Sequence, residues 1–195
     1  MCIKNFYVVN THENYILKEV SIVDIKVIDK QSIYKGRIID LFVEKVMFPT
    51  REVAMECIHH PGGAAVVPLF PDKTVALIQQ YRYCMSDAIW EIPAGRLEQG
   101  EEPLGCAKRE LEEEVGYKAV QIRKLTDIYS APAYCTEVIS IFLAQDLIPT
   151  RQQLDDDEII KVVRLPLTEA IEKVIAGEIR DAKTVVGLLL TCMSL

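Results

Sequence analysis

No two cysteines in this sequence lie close together. The six, at 2, 57, 84, 106, 135 and 192, form no CxxC or CxH spacing. A zinc site therefore has no basis, and scattered thiols suit a reducing compartment. No run of 18 apolar residues occurs, which argues against a transmembrane helix. The terminal VVGLLLTCMSL is apolar but too short to span a bilayer and reads as a packed helix. The opening MCIKNFYVVNTHENY has neither the apolar run nor the small-residue cleavage site of a signal peptide, so the cytoplasm is the expected location. Repeats and low-complexity tracts are missing as well. Basic residues are in deficit, 22 against 29 acidic, giving a net charge of −7. Such a surface repels nucleic-acid phosphates and anionic lipid, so neither is an expected partner. An anionic substrate would need local neutralisation, which a divalent cation could supply. None of the three histidines joins a Ser or Cys in a nucleophile motif, so covalent catalysis is not suggested.

The 195 residues suffice for one ordinary domain with a small appendage. VSIVDIKVID, RIIDLFVEKVMFP and REVAMECIHH read as strands, the first two by apolar and polar alternation. They form a small antiparallel β unit that buries too little to stand alone. After the PGG turn at 61–63, AAVVPLF and TVALIQQYRY read as a hairpin of buried strands, and AIWEIPAG as one further short strand. A helix follows from about Glu102 to Val115, with Pro103 in its first turn and Gly116 as its left-handed cap. Three more strands and two closing helices complete the chain. A mixed α/β (α+β) sandwich is the natural class. The expected division is an N-terminal β unit over 1–58 and a main domain over 59–195.

On a helical wheel Leu104, Ala107, Leu111 and Val115 form a core-facing stripe. Glu110, Glu113 and Glu114 share an arc beside it, with Arg109 at its edge and Glu112 pointing away. Most Glu-rich helices are merely solvated faces. Here the carboxylates abut the core stripe, and their mutual repulsion would be relieved by a hard cation such as Mg²⁺ or Mn²⁺.

The stretch from Gly95 to Tyr117 has the pattern G-x5-E-x7-R-E-U-x-E-E-x-G-U through Gly95, Glu101, Arg109, Glu110, Leu111, Glu113, Glu114 and Gly116. It departs only at Tyr117, where an aliphatic residue is usual. This resembles the signature of the Nudix hydrolases. The resemblance implies a Nudix-type α/β/α sandwich of mixed sheets carrying a small N-terminal antiparallel β unit. It also implies Mg²⁺-dependent hydrolysis of a nucleoside diphosphate linked to another moiety, with Mn²⁺ able to substitute. It places metal ligands at the Ala94 carbonyl, Glu110, Glu113 and Glu114, with Arg109 as their brace.

REVAMECIHHPGGAAVVPL, QQYRY, WEIPAGRLEQGE and SAPAYCTE, with Pro132 sixteen residues beyond Gly116, resemble the ADP-ribose pyrophosphatase branch. That likeness implies conversion of ADP-ribose to AMP and ribose 5-phosphate. Another nucleoside diphosphate sugar, a GDP- or ADP-hexose, is the alternative, and a non-catalytic sensor a more remote one. It further implies a domain-swapped homodimer, substrate contacts at Arg51, Arg82 and Glu137, and a catalytic base in the loop QQLDDDEIIKV. There Asp156 and Glu158 take the places of two glutamates, and Asp156 is one methylene shorter than the usual residue. Glu113 is the other candidate base.

Overall fold

A computed structural model describes residues 5–11, 14–20, 25–154 and 158–195. The chain divides into two compact units between His59 and His60. In the first, β1 (Asn5–Thr11) and β2 (Asn14–Val20) pair as an antiparallel hairpin, in a segment for which the sequence pattern predicts no strand before Val20. β3 (Lys26–Lys35), β4 (Asp40–Phe48) and β5 (Arg51–His59) form an antiparallel meander. β3 is exposed along its whole length, Val27, Ile28, Ile33 and Tyr34 included. Within VSIVDIKVID, residues 21–24 lie outside the described residues, and over 25–29 the alternation does not mark one buried face within the single chain.

The second unit has two sheets. β6 (Gly63–Pro68) lies between β11 (Val138–Pro149), to which it is parallel, and β9 (Ala94–Arg96), to which it is antiparallel; β10 (Tyr117–Tyr129) flanks β11. β7 (Thr74–Arg82) pairs antiparallel with both β12 (Ile160–Pro166) and β8 (Asp87–Glu91).

Two expectations are corrected here. β6 and β7 are not a hairpin: a single bridge, Leu69 to Val75, joins them, and each belongs to a different sheet. β6 is buried at every position, as suits a central strand with covered faces rather than a hairpin arm. AIWEIPAG is likewise two strands in two sheets. Pro93 lacks the N–H needed to extend a ladder, and the chain crosses between the sheets there.

Period-two alternation sends β6, β7 and β11 side chains to opposite layers. Ala65, Val67, Val75, Leu77, Ile141 and Leu143 join one core with residues of α2 (Leu167–Ile175) and α3 (Ala182–Met193). Ala64, Val66, Ala76, Ile78, Phe142 and Ala144 join another with α1 (Pro103–Glu110). The second unit is thus an α/β/α sandwich with α1 alone on one side. Among the described residues no helix is long and apolar enough to cross a membrane.

Candidate active site

α1 starts on Pro103, whose missing N–H costs nothing in a first turn. Ala107 and Leu111 are fully buried and Val115 nearly so, but Leu104 is exposed. As the helix's second residue, Leu104 precedes the packed stretch, which begins with the buried Cys106. From Leu111 to Val115 the helix widens into a π-type turn, ended by Gly116 at φ 76°. The wider turn brings residue i+4 back over residue i while i+3 lags. Glu110 and Glu114 are accordingly buried together, 7% and 1% exposed, whereas the Glu113 side chain is 39% exposed. Glu112 points away and pairs with Lys118.

Arg109 holds the cluster. Its Nη1 donates to Glu110 Oε1 (2.6 Å) and Glu113 Oε2 (3.0 Å), and its Nε and Nη2 clasp both oxygens of Glu101. Nη2 also reaches the Arg96 carbonyl. Charge-assisted contacts of this kind fix geometry well, and those to Glu101 first of all keep Arg109 protonated. Glu101 was part of the sequence pattern without an assigned role; it is the anchor of the brace.

Glu114 Oε2 accepts the N–H of Ala94 at 2.8 Å. Glu110 packs so tightly on Gly95 that a Cβ there would lie 1.7 Å from Glu110 Oε1. Only glycine leaves room for that carboxylate. Cys106, beneath the brace, has its thiol pushed up to about 12, chiefly by burial, and is no nucleophile.

Burial, above all, raises Glu110 to about 7; Arg109 partly offsets it. Burial raises Glu114 to about 9, and the Glu110 charge adds to it. Groups raised in the folded state contribute stability that is complete below their unfolded value of 4.5 and is lost as pH climbs through the folded values. Protein held in chelator should therefore melt lower at pH 9 than at pH 5. Glu110 alone accounts for roughly 3 kcal/mol, or about 5–10 °C. A melting temperature that rises across this interval would contradict the assignment.

Two adjacent buried carboxylates, short of compensating charge, are the hard oxygen donors a divalent ion favours. Among the described residues no three Asp, Glu, His or Cys side chains stand close enough to hold an ion without further donors. The donor chemistry fits a metal, with backbone or water oxygens completing its shell.

A cleft of about 410 Å³ adjoins this pair, and Ala94, Gly95 and Arg96 form part of its wall. Arg82 lines it, with Nε and Nη2 bonded to the two oxygens of Glu91 at 2.6 and 2.8 Å. Glu137 lines it too, its Oε1 lying 3.3 Å from His60 Nδ1. Glu158 is half-buried, two residues before β12, and its charge raises both Glu110 and Glu114. Arg51 is exposed at the start of β5 in the N-terminal unit. Asp156 lies outside the described residues.

Sequence reading missed Glu91 and Lys183, which also line the cleft. A lone carboxylate within the apolar strand AIWEI was the available signal for Glu91; Lys183, in the first turn of a long apolar helix, carried none.

The NUDIX domain family model matches residues 59–186. An ADP-ribose pyrophosphatase of Bacillus subtilis (strain 168) is 40% identical over 162 residues, covering 82% of this chain and 88% of that protein. A methanol dehydrogenase activator of Bacillus methanolicus is 35% identical, covering 84% and 90%. A GDP-mannose pyrophosphatase of Citrobacter koseri is 36% identical over 142 residues, covering 67% and 74%. The solved structure of an ADP compounds hydrolase shares the fold, with a TM-score of 0.79 at 24% identity over 90% of this chain and 96% of that one. The braced carboxylate helix, the sandwich around it and these likenesses agree: the chain belongs to the Nudix family of hydrolases.

Proposed function

We propose that this enzyme hydrolyses the pyrophosphate bond of ADP-ribose, giving AMP and ribose 5-phosphate, with Mg²⁺ as the working ion and Mn²⁺ as a substitute. The observation that carries this reading is the buried Glu110–Glu114 pair set against a cleft that Arg82 lines. Nudix hydrolases generally require a divalent metal. Glu110, Glu114, the Ala94 carbonyl and Glu113, directly or through water, would hold it here. When bound, such an ion neutralises the diphosphate and lowers the pKa of an attacking water.

The chain's own groups supply the rest. Arg82 has N–H donors left over from Glu91 and turns them toward the phosphates. Glu137 serves the terminal ribose. A base at Glu158, Asp156 or Glu113 takes the water's proton as its oxygen attacks one phosphorus. The P–O bond to the bridging oxygen breaks, leaving two phosphate monoesters.

Arg51 would contribute from the N-terminal unit in a homodimer whose two copies share a site. The exposed apolar residues of β3 support such pairing, since patches of this kind mark interaction surfaces. The cytoplasm is the proposed location.

The test is a substrate panel with Mg²⁺ and with Mn²⁺: ADP-ribose, ADP- and GDP-sugars, dinucleotides and nucleoside triphosphates. ADP-ribose should lead by at least about tenfold in kcat/KM, a gap of ~1.4 kcal/mol in transition-state binding. A lead by GDP-mannose would move the assignment to the sugar suggested by the Citrobacter koseri relative.

A further inference from the structure

The Arg82–Glu91 pair is one side of a larger loop of contacts. Glu91 is 1% exposed, and its Oε2 accepts from both Arg82 Nη2 and Lys183 Nζ. Lys183 Nζ also donates to Asp181 Oδ1 at 3.0 Å. Asp181 Oδ2 caps α3, accepting the Thr184 N–H at 3.0 Å and the Thr184 hydroxyl at 2.6 Å. Thr184 Oγ1 in turn accepts the Ile92 N–H at 2.8 Å. The segment Asp181–Thr184 therefore grips the end of β8 by both its backbone and its carboxylate.

The charges agree with that arrangement. Burial is the largest influence on Glu91 and would raise it. Arg82 and Lys183 together outweigh it, and the carboxyl stays below its ordinary range. With Arg82 alone, Glu91 Oε2 would lose a charged partner in a site with almost no water to replace it.

We propose that Lys183 is a positioning residue for Arg82. By clamping Glu91 Oε2 it stops the carboxylate from turning, and the bidentate bond passes that restraint to the plane of the guanidinium. The Arg82 N–H groups not used by Glu91 then face the cleft in one orientation, ready for a diphosphate. Pre-orientation of this kind lowers the ordering cost of binding. This rests on the reading that Arg82 contacts the substrate.

The experiment compares Arg82→Ala, Lys183→Met and Lys183→Arg with wild type on ADP-ribose. Lys183→Met should raise KM about tenfold with kcat within about threefold, and Lys183→Arg should restore KM to within about threefold of wild type. On the Arg82→Ala background, Lys183→Met should add less than about twofold, because the group it positions is gone. A full additional effect there overturns the proposal, since Lys183 would then act on the substrate itself. Normal KM for Lys183→Met beside a raised KM for Arg82→Ala also overturns it. Normal KM for Arg82→Ala instead removes the reading beneath it. If Lys183→Met does not fold, Lys183→Gln, which keeps a hydrogen bond without the charge, must still raise KM at least about threefold.

Discussion

Glu114→Gln should lower kcat by about a thousandfold, equivalent to ~4 kcal/mol of barrier, without a lower melting temperature. Glu114 is 1% exposed, and its carboxylate accepts the Ala94 N–H through Oε2. Glutamine can accept the same hydrogen bond through its amide oxygen, so the local fold survives. It cannot supply the negative charge that a divalent ion needs. In chelator at neutral pH the variant should be at least as stable as wild type, because a carboxyl that resists ionisation has been removed. Glu113→Gln should cost less, about a hundredfold. Its side chain is 39% exposed and Arg109 holds it, so it stands at the margin of the site. Steady-state kinetics at saturating Mg²⁺ decide the matter, and a rate within fivefold of wild type for Glu114→Gln would sink the metal assignment.

Gly95→Ala should reduce kcat by about a hundredfold and cost ~1–3 kcal/mol of stability. The added methyl carbon would sit 1.7 Å from Glu110 Oε1 and 2.2 Å from its Cδ, far inside contact distance. Either β9 shifts or the carboxylate swings, and the carboxylate is already tied to Arg109. Both outcomes spoil the oxygen cluster. Gly100→Ala is the control. It places a side chain at φ 80°, which strains the backbone by ~1–2 kcal/mol, but nothing lies within 4 Å of its Cβ. It should lose stability and keep its rate. Equal activity loss in both variants would show that backbone strain, not the Glu110 contact, is responsible. A Mg²⁺ titration of activity should show weaker apparent affinity for Gly95→Ala only.

The wheel placed Glu110, Glu113 and Glu114 on one arc, and the structure splits that arc. The cause is the π-type turn from Leu111 to Val115, which a uniform helical repeat cannot express. The supposed hairpin of AAVVPLF and TVALIQQYRY fails for a related reason. Sequence periodicity shows that both runs are buried, but not which sheet each joins; that depends on pairing with β11 and β12, far along the chain.

Sequence alone determined the family and the sandwich class and singled out the candidate carboxylates, because the signature needs particular residue types at local spacings. Gly95, Glu101, Arg109, Glu110 and Glu114 lie within twenty residues, and the helix and its preceding loop bring them together. Only the tertiary structure decided that Glu101 anchors the brace and that Gly95 makes room for Glu110. It alone joined Lys183 to Arg82 through Glu91, across a separation of 92 residues between Glu91 and Lys183. Contacts of that range are set by strand order and by the docking of α3, and they leave no periodic trace in the chain.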